Sequence, residues 1–368
     1  MSSFVLKVGI VGLPNVGKST LFNALLKKRV ALSANYPFAT VEPNIGVVVV
    51  PDSRLLTLAT LVKNEEHMDN LPPVVPAVCE FVDIAGLVKG AAQGEGLGNQ
   101  FLSHIREVDA IVHVLRDFHD ENVARAGAEN PDADKLTVET ELGLADLQVL
   151  EKLIATQEKE AKASRDPLEG QKLEILKQIQ DDLNNGRNVE RITNNDERLN
   201  TWFSHLPLLS IKPVLYIFNV SENEYKNSSI SKTLNKNELI ICAKLEEELA
   251  DLPEEERIEY LKSMGIEETG LERLIKAAYE LLGLISFLTA GKKEVRAWTI
   301  EKGVKAPQAA GVIHTDFEKN FIRAQVIGCD ELLVHGSLSK AKEAGKVRTE
   351  GKDYVVQDGD VIEFLISS

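Results

Sequence analysis

The sequence predicts an α/β fold that is interrupted by a helical segment and followed by a small β-rich region. Apolar runs of strand length alternate with helices and loops over about the first 120 residues, which is typical of an α/β sheet. Residues 131–205 are charged and rich in leucine, and the leucines fall near helical spacing. After residue 285 the chain changes to short strands that are separated by turns.

The individual elements follow from the spacing of the apolar residues. Strands are predicted at Val5–Val11, Ile45–Val50, Val78–Asp83, Ala110–Leu115, Pro213–Val220, Leu239–Ala243, Val295–Ile300, Phe321–Ile327, Asp353–Val356 and Val361–Ile366. Further helices are predicted at Glu254–Leu261, Leu271–Leu282, Pro307–Ile313 and Lys340–Ala344. Because strands recur after the helical segment, we expect that segment to be inserted into one α/β domain.

The helical segment is predicted to form two helices joined by a turn. The first carries leucines at positions 142, 144, 147, 150 and 153. A second helical run, Leu168–Leu183, follows a break at Arg165-Asp166-Pro167. An antiparallel hairpin or coiled coil fits this pattern. The heptads are irregular, so we expect the helices to pack on each other rather than to form an oligomerising zipper.

These patterns divide the chain into four parts. We expect the first part of the α/β domain at 1–130, the helical insertion at 131–205, the second part of the α/β domain at 206–285 and the β-rich domain at 286–368. The last part carries twelve Lys and Arg and twelve Asp and Glu residues, so it is neutral. The net charge of −15 therefore lies upstream, and we expect any contact with nucleic acid to be local.

Composition favours a soluble cytoplasmic protein. The three cysteines, Cys79, Cys242 and Cys329, lie far apart and form no C-x-x-C pair, which argues against disulfides and zinc. The N-terminus enters a strand directly, so we expect no signal peptide. No apolar run is long enough to span a bilayer.

The segment Gly12–Ser19 reads GLPNVGKS and has the spacing of a phosphate-binding P-loop between a strand and a helix. Gly12 and Gly17 allow the backbone to turn tightly and to approach a ligand. The loop N–H groups and the helix N-terminus would then face an anion. Lys18 is placed to reach the β- and γ-phosphates, and Ser19 offers a hydroxyl to Mg²⁺.

Two further segments fit a nucleotide site with Mg²⁺. Asp83-Ile84-Ala85-Gly86 ends a predicted strand, so the Asp83 carboxylate can hold Mg²⁺ and the Gly86 N–H can meet the γ-phosphate. Thr40, in the loop Asn35–Thr40, can give Mg²⁺ a second hydroxyl. The Gly-rich segment Gly86–Gly98 suits a switch that becomes ordered around the γ-phosphate.

The residue after D-x-x-G is Leu87, where Ras-type enzymes use a glutamine to orient the attacking water. Leucine cannot do this, so either hydrolysis is slow or another group places the water. His104, in a predicted helix, and His113, in a predicted strand, are the candidates.

The base-reading segment is expected after a later strand, at Asn219-Val220-Ser221-Glu222. GTPases use N-K-x-D there, and the aspartate accepts both guanine N–H donors. In this chain Val220 replaces the lysine and Glu222 replaces the aspartate, which weakens the case for guanine. Asn219 and a backbone group near Val220 could instead meet adenine.

Several motifs together resemble the Obg-like ATPase, or YchF, family of TRAFAC-class P-loop NTPases. They are GLPNVGKS, NYPFAT, DIAGLVKGA, GEGLGNQFL, NVSE and the stretch VRAWTIEKGVKAPQAAGVIHTDFEKNFI. The resemblance covers essentially the whole chain. It implies an α/β P-loop G domain with a helical coiled-coil insertion and a C-terminal β-rich (α+β) TGS domain.

The resemblance also implies an activity and its residues. The family hydrolyses ATP in preference to GTP and associates with ribosomes in translation or stress control. Carried over by position, the nucleotide contacts fall on Asn15, Val16, Gly17, Lys18, Ser19, Thr20, Asn219, Val220 and Glu222, and Mg²⁺ falls on Ser19 and Thr40 beside Asp83. The catalytic histidine falls on His113 rather than His104, with Lys18 and Gly86 stabilising charge. Asn15 matches a K⁺ ligand of potassium-dependent relatives, so K⁺ activation is expected.

The expectation is therefore a monomeric Mg²⁺-dependent ATPase that works as a nucleotide switch. Its partner would be the large ribosomal subunit or RNA, contacted through the TGS domain and the helical insertion, with no membrane involved. Two alternatives stay open. One is a true GTPase, and the other is a regulatory nucleotide-binding module with negligible turnover, which Leu87 favours.

Overall fold

In the computed structural model, the described residues are 6–29, 44–84, 97–120, 124–125, 127, 130–187, 189, 196–227 and 235–367. The chain forms two compact units. We call Lys7–Ala24 with Phe81–Asp251 the P-loop unit, and Met1–Leu6, Leu25–Glu80 and Leu252–Ser368 the C-terminal unit. No helix in the described part of the chain is long and apolar enough to cross a membrane.

The described residues contain strands and helices that we number in chain order. The strands are β1 (Lys7–Val11), β2 (Ile45–Val49), β3 (Val74–Val75), β4 (Val78–Asp83), β5 (Ala110–Arg116), β6 (Val214–Asn219), β7 (Glu238–Ile241), β8 (Leu284–Ala290), β9 (Val295–Glu301), β10 (Phe321–Gly328), β11 (Arg348–Glu350) and β12 (Asp360–Ile366). The helices are α1 (Lys18–Arg29), α2 (Ser53–Glu65), α3 (Leu97–Arg106), α4 (Pro131–Ala163), α5 (Pro167–Asn184), α6 (Glu197–Ser204), α7 (Glu222–Asn227), α8 (Ala243–Ala250), α9 (Glu254–Ser263), α10 (Gly270–Leu281), α11 (Ala306–Ile313), α12 (Thr315–Lys319), α13 (Cys329–His335) and α14 (Leu338–Glu343).

The P-loop unit is built on a parallel sheet. Strands β1 and β5, β5 and β6, and β6 and β7 pair in parallel, and residues 81–83 of β4 lie on the other side of β1. Every residue of β5 is buried, which explains its continuous apolar run. The carboxyl ends of β1 and its parallel partners β5 and β6 therefore lie at one edge of the sheet, where open α/β sheets bind ligands.

The helical segment forms an antiparallel pair, as predicted. Near one end Gln157 of α4 donates to the Glu169 carboxylate of α5 at 2.7 Å, and near the other end Gly143 lies against Leu183. Leu150, Leu176 and Ile179 form a buried core with Phe203 of α6 and Leu208. The break between α4 and α5 is where Asp166 caps α5, whose first residue is Pro167.

The buried carboxylate of Asp146 attaches α4 to the segment before β6. It accepts hydrogen bonds from the backbone N–H groups of Leu209 and Ser210 and from the Ser210 hydroxyl, at 2.7–2.9 Å. Burial raises the pKa of Asp146 while these bonds act to lower it. The insertion is thus tied to the segment that leads into β6 through a carboxyl group that is fully enclosed.

The C-terminal unit has its own mixed sheet, in the order β11-β10-β12-β8-β9-β3. One face carries a core of Phe287, Ile300, Phe321, Val326 and the alanines of α11. The helix α2, from the N-terminal part of the chain, belongs to this unit. Its last residue, Glu65, accepts hydrogen bonds from the backbone of Leu338 and Ser339 at 2.9 Å and so caps α14.

Two expectations about the elements need correction. Asp353–Val356 is not a strand, because only Val355 makes an isolated bridge, to Lys305, and Asp353 faces solvent. The strand β8 and the helix α2 were not predicted, although Gly283 separates α10 from β8 and α2 buries Leu55, Leu58, Ala59, Leu61 and Val62 at helical spacing. The structure divides the chain into two compact units, and the division into four parts remains a prediction.

Candidate functional site: a phosphate-binding loop at the edge of the sheet

The loop between β1 and α1 has the backbone of an anion-binding turn. Asn15 has φ 63° and Gly17 has φ 94°, both in the left-handed region. A Cβ on Gly17 would lie 2.2 Å from Asn219 Nδ2, and a Cβ on Gly12 would lie 2.7 Å from the Val114 carbonyl oxygen. Close approach therefore requires glycine at both positions, and at Gly17 the positive φ requires it as well.

Asn219 fixes this loop from the end of β6. Its Nδ2 donates to the Val16 carbonyl oxygen at 2.8 Å, and its Oδ1 accepts from the Ala243 N–H at 2.9 Å. The Asn219 side chain is buried, so both bonds are shielded from water. One amide thus joins the P-loop to Ala243, the first residue of α8.

Lys18 and Asp83 form the charged centre of the site. Lys18 Nζ lies 2.6 Å from Asp83 Oδ1, and both side chains are mostly buried. The Lys18 ammonium is the positive charge that the Asp83 carboxylate contacts. With the Ser19 hydroxyl at the start of α1, the oxygen donors match those that Mg²⁺ prefers.

The first turn of α1 is suited to an anion. It contains no acidic residue, so its free N–H groups and the positive end of the helix dipole are unopposed. Ser19 is exposed and Thr20 is partly exposed, and Val16 is buried beneath the loop. Asn15 is exposed, and its Nδ2 donates to the Ala124 carbonyl oxygen at 3.1 Å.

The base-reading segment leaves β6 beside this loop. Val220 is buried, and its N–H donates to the Ile241 carbonyl oxygen at 2.9 Å. Glu222 begins α7, and its carboxylate pairs with Lys226 at 2.6 Å. The Asn219 amide and the Val220 N–H therefore already have protein partners, and Glu222 is the partly exposed polar side chain of the three. Their contact with a base stays a prediction.

His113 lies inside β5, opposite Val11 of β1 and Tyr216 of β6. It is fully buried, and its Nε2 has no hydrogen-bond partner in the described part of the chain. Burial lowers the pKa of His113 to about 3, and the charge of Lys135 adds to the effect. The imidazole is thus neutral and enclosed, and its assignment as the group that places water stays a prediction.

The other predicted groups lie partly outside the described residues. Thr40, Gly86 and Leu87 are outside them, and so is most of the Gly86–Gly98 segment. His104 is described and partly exposed on α3.

Sequence reasoning missed the groups that support the site. Tyr216 lies beside His113, with 5.8 Å between the ring centroids, and donates to Glu139 at 2.6 Å. Lys135 Nζ lies 3.8 Å from the centre of the Tyr216 ring. No local pattern marks these residues, because they meet only when α4 packs on the sheet.

Comparison with known proteins places this geometry in a family. A family model described as "50S ribosome-binding GTPase" matches residues 7–141, and the YchF-GTPase_C model, described as "Protein of unknown function (DUF933)", matches residues 284–367. The "Ribosome-binding ATPase YchF" of Bacillus subtilis (strain 168) is 48% identical over 370 residues, which cover 98% of each chain. The chain belongs to the YchF family. The protein of the same name from Escherichia coli O157:H7 is 47% identical over 369 residues, covering 98% of this chain and 99% of that one.

A solved YchF structure has the same fold. The structure of the Schizosaccharomyces pombe YchF GTPase superposes with a TM-score of 0.83 at 37% identity, covering 98% of this chain and 97% of that one. The predicted class, an α/β P-loop domain with a C-terminal β-rich domain, is thereby confirmed. The resemblance stated from the motifs is confirmed as well.

Proposed function

We propose that the protein is a Mg²⁺-dependent P-loop NTP hydrolase that prefers ATP and works as a nucleotide-dependent switch. One observation carries the proposal: the P-loop is preformed, held by Asn219, and has Lys18 against Asp83 at 2.6 Å. The YchF relatives that match almost the whole chain are named ATPases, which supports the same activity.

In the proposed reaction a water oxygen attacks the γ-phosphorus in line. The bond from that phosphorus to the β–γ bridging oxygen breaks, which yields a nucleoside diphosphate and phosphate. The loop N–H groups and Lys18 stabilise the charge on the phosphate oxygens, and the Gly86 N–H is proposed to add to them. His113 is proposed to orient the water, which requires that its ring becomes accessible to solvent.

Ser19, Asp83 and Thr40 are the residues proposed to hold Mg²⁺. When bound, the ion neutralises charge on the phosphates. Because Lys18 now occupies Asp83 Oδ1, binding of nucleotide would draw the ammonium to the phosphates and free the carboxylate for the ion. K⁺ is proposed as an activator through Asn15, which is exposed at the positive-φ position of the loop.

The preference for ATP rests on Val220 and Glu222. Val220 is buried and lacks the aliphatic chain with which a lysine would cover the base. Glu222 is one methylene longer than the aspartate of GTPases and is paired with Lys226. The rival activity is a true GTPase, which is favoured by the name of the fission yeast structure. A regulatory nucleotide-binding module with negligible turnover is the third candidate function.

Titration calorimetry with ATP and GTP, with Mg²⁺ and K⁺ present, tests the preference. We expect tighter binding of ATP, and the pair Val220→Lys with Glu222→Asp should shift the preference toward GTP. Equal or tighter binding of GTP by the unchanged protein would contradict the proposed specificity. A turnover rate that is insensitive to His113→Ala would contradict the assignment of that histidine.

The proposed partner is the ribosome, on its large subunit, contacted through the TGS domain and the helical insertion of a monomeric cytoplasmic protein. The names of the relatives and of the matching family model support it. Co-sedimentation with ribosomes, with ATP or ADP present, tests the association. Absence of co-sedimentation in both states would contradict it.

A further inference from the structure

A polar pocket lies in the P-loop unit between α3 and α4. It has a volume of about 220 Å³, and Leu102 and Ala145 contribute apolar lining. Its polar lining comes from Ser103 and Arg106 of α3 and from Gln148 and Lys152 of α4. We call it the α3–α4 pocket. Its lining residues include two cations and no carboxylate, in a chain whose net charge is −15.

The two cations are not used in ion pairs. Within the described residues, neither Arg106 nor Lys152 has a carboxylate within 4 Å. Lysines on the neighbouring helix α5 do have such partners, since Lys172 pairs with Glu169 and Lys177 with Glu158. Two like charges that line the same pocket repel each other, and an anion between them would remove that repulsion.

The surroundings favour an anion further. The carbonyl end of α3 would normally carry partial negative charge. Here Lys212 Nζ donates to the Arg106 carbonyl oxygen at 3.3 Å and to that of Val108, which offsets this charge. Asp146 is close enough to interact with Arg106, but its oxygens already accept three N–H and O–H donors of the 209–210 segment. Asp109, which interacts with Lys212, accepts the Lys7 N–H.

We propose that the α3–α4 pocket binds a phosphate group, either of a free phosphate anion or of an RNA backbone. The guanidinium of Arg106 offers the planar donor pair that matches phosphate oxygens, and Lys152 adds a point charge. Ser103 contributes a hydroxyl to the same pocket. The binding of a phosphate group is independent of the proposed function, whereas an RNA source rests on the proposed ribosome association.

The position of the pocket gives such binding a consequence. Helix α3 follows the D-x-x-G segment in the chain, and α4 begins the helical insertion. A phosphate held by Arg106 and Lys152 would connect the two helices. The position of the insertion would then respond to a phosphate that is bound outside the nucleotide site.

Inorganic phosphate is the first probe, observed through the Nε–Hε signals of arginine in ¹H–¹⁵N NMR spectra. Saturating Mg·ADP fills the P-loop, and Arg106→Gln identifies the Arg106 signal by its loss. We expect a saturable shift of that signal and at least fivefold weaker binding in Lys152→Gln. Lys159→Gln, which removes an exposed charge from the same helix outside the pocket, should leave the affinity unchanged. A signal that does not respond would overturn the proposal.

A fluorescent 12-nucleotide RNA is the second probe, titrated by anisotropy over a series of salt concentrations. If the pocket takes a backbone phosphate, Lys152→Gln should lower the affinity and reduce the salt slope by about 1, and Lys159→Gln should not. An unchanged slope with a responsive Arg106 signal assigns the pocket to free phosphate. An unchanged slope with an unresponsive Arg106 signal overturns the inference, while ribosome co-sedimentation of the same variants tests the proposed function separately.

Discussion

Asn219 shows how one side chain can hold a site together through its bonds to the backbone. Its amide satisfies the Val16 carbonyl and the Ala243 N–H, which lie 203 and 24 residues away in sequence. A side chain at position 17 would collide with the Asn219 amide, so glycine is required there. The residue predicted to read the base is thus first a support for the phosphate loop.

Asn219→Ala should weaken ATP and GTP binding by a similar factor, of at least tenfold, because the support does not depend on the base. It should also lower the free energy of unfolding by about 3 kcal/mol, since two buried backbone groups lose their partners. Titration calorimetry and urea unfolding measure these effects. Asn237→Ala, at an exposed turn, is the matched control. A change in the ATP-to-GTP ratio would instead show direct contact with the base.

The Lys18–Asp83 pair predicts competition between phosphate and carboxylate for one ammonium. Asp83→Asn should bind ADP severalfold more tightly than the unchanged protein when EDTA removes metal, because Lys18 is released. The same variant should lose most of the gain in affinity that Mg²⁺ gives. Calorimetric titrations of both proteins, with EDTA and with Mg²⁺, test this. Weaker metal-free binding by the variant would contradict it.

His113 should make stability depend on pH. The unfolded chain takes up a proton near the usual pKa of 6.5, whereas the folded chain excludes it down to about 3. The contribution of His113 to the free energy of unfolding is therefore fully present above pH 6.5. It falls as the pH falls, by about 2 kcal/mol between pH 7 and pH 5. Urea unfolding at both pH values should show a smaller difference for His113→Gln. His119→Gln, at an exposed histidine, should keep the full difference.

At the scale of elements, α4 is the part of the insertion that is tied most closely to the sheet. Its first half carries Lys135 and Glu139 beside Tyr216, and Asp146 beside the 209–210 segment. Its second half packs mainly on α5 and α6. The insertion thus has an anchored base and an end that depends on its own small core.

Asp146→Ala should lower the free energy of unfolding by about 3 kcal/mol, because the Leu209 and Ser210 N–H groups lose their shared acceptor. Glu160→Ala, at an exposed position on the same helix, should cost less than about 0.5 kcal/mol. Urea unfolding followed by circular dichroism compares the two variants. Equal stability of both would show that the 209–210 segment finds other partners.

At the scale of the whole molecule, the C-terminal unit is assembled from distant parts of the chain. Helix α2 packs with α13, and β3 pairs with β9, more than 200 residues later. Arg54 pairs with Asp358 at 2.7 Å. Such contacts form slowly in folding because long loops must close first.

A chain that ends at Asp251 should therefore leave α2 and β3, within residues 53–75, without their partners in β8, β9 and α13. Limited proteolysis with mass spectrometry should cut this segment much faster than in the full chain, while α4 and α5 keep their resistance. Equal protection of residues 53–75 in both chains would contradict this dependence on the later part of the chain. For the same reason, point variants test ribosome binding more cleanly than removal of residues 286–368.

Whether an element could be predicted from the sequence depends on how local its sequence pattern is. The parallel strands and the P-loop were predictable because each is a short continuous motif with a fixed spacing. The antiparallel helix pair was predictable because its leucines and the Asp166-Pro167 break lie close together. The strand at Asp353–Val356 was predicted wrongly, because alternation in a short exposed segment does not ensure a pairing partner.

The sequence by itself determined the class of fold and the phosphate loop, because glycine spacing and the apolar runs that form strands are short local patterns. Only the tertiary structure decided that Asn219 braces the loop, that His113 is enclosed beside Tyr216, and that Arg106 and Lys152 share a pocket. Each of these joins residues that are far apart in the chain, and their distances depend on how helices pack against a sheet. That packing arises from the burial of many side chains at once, so no local pattern records it.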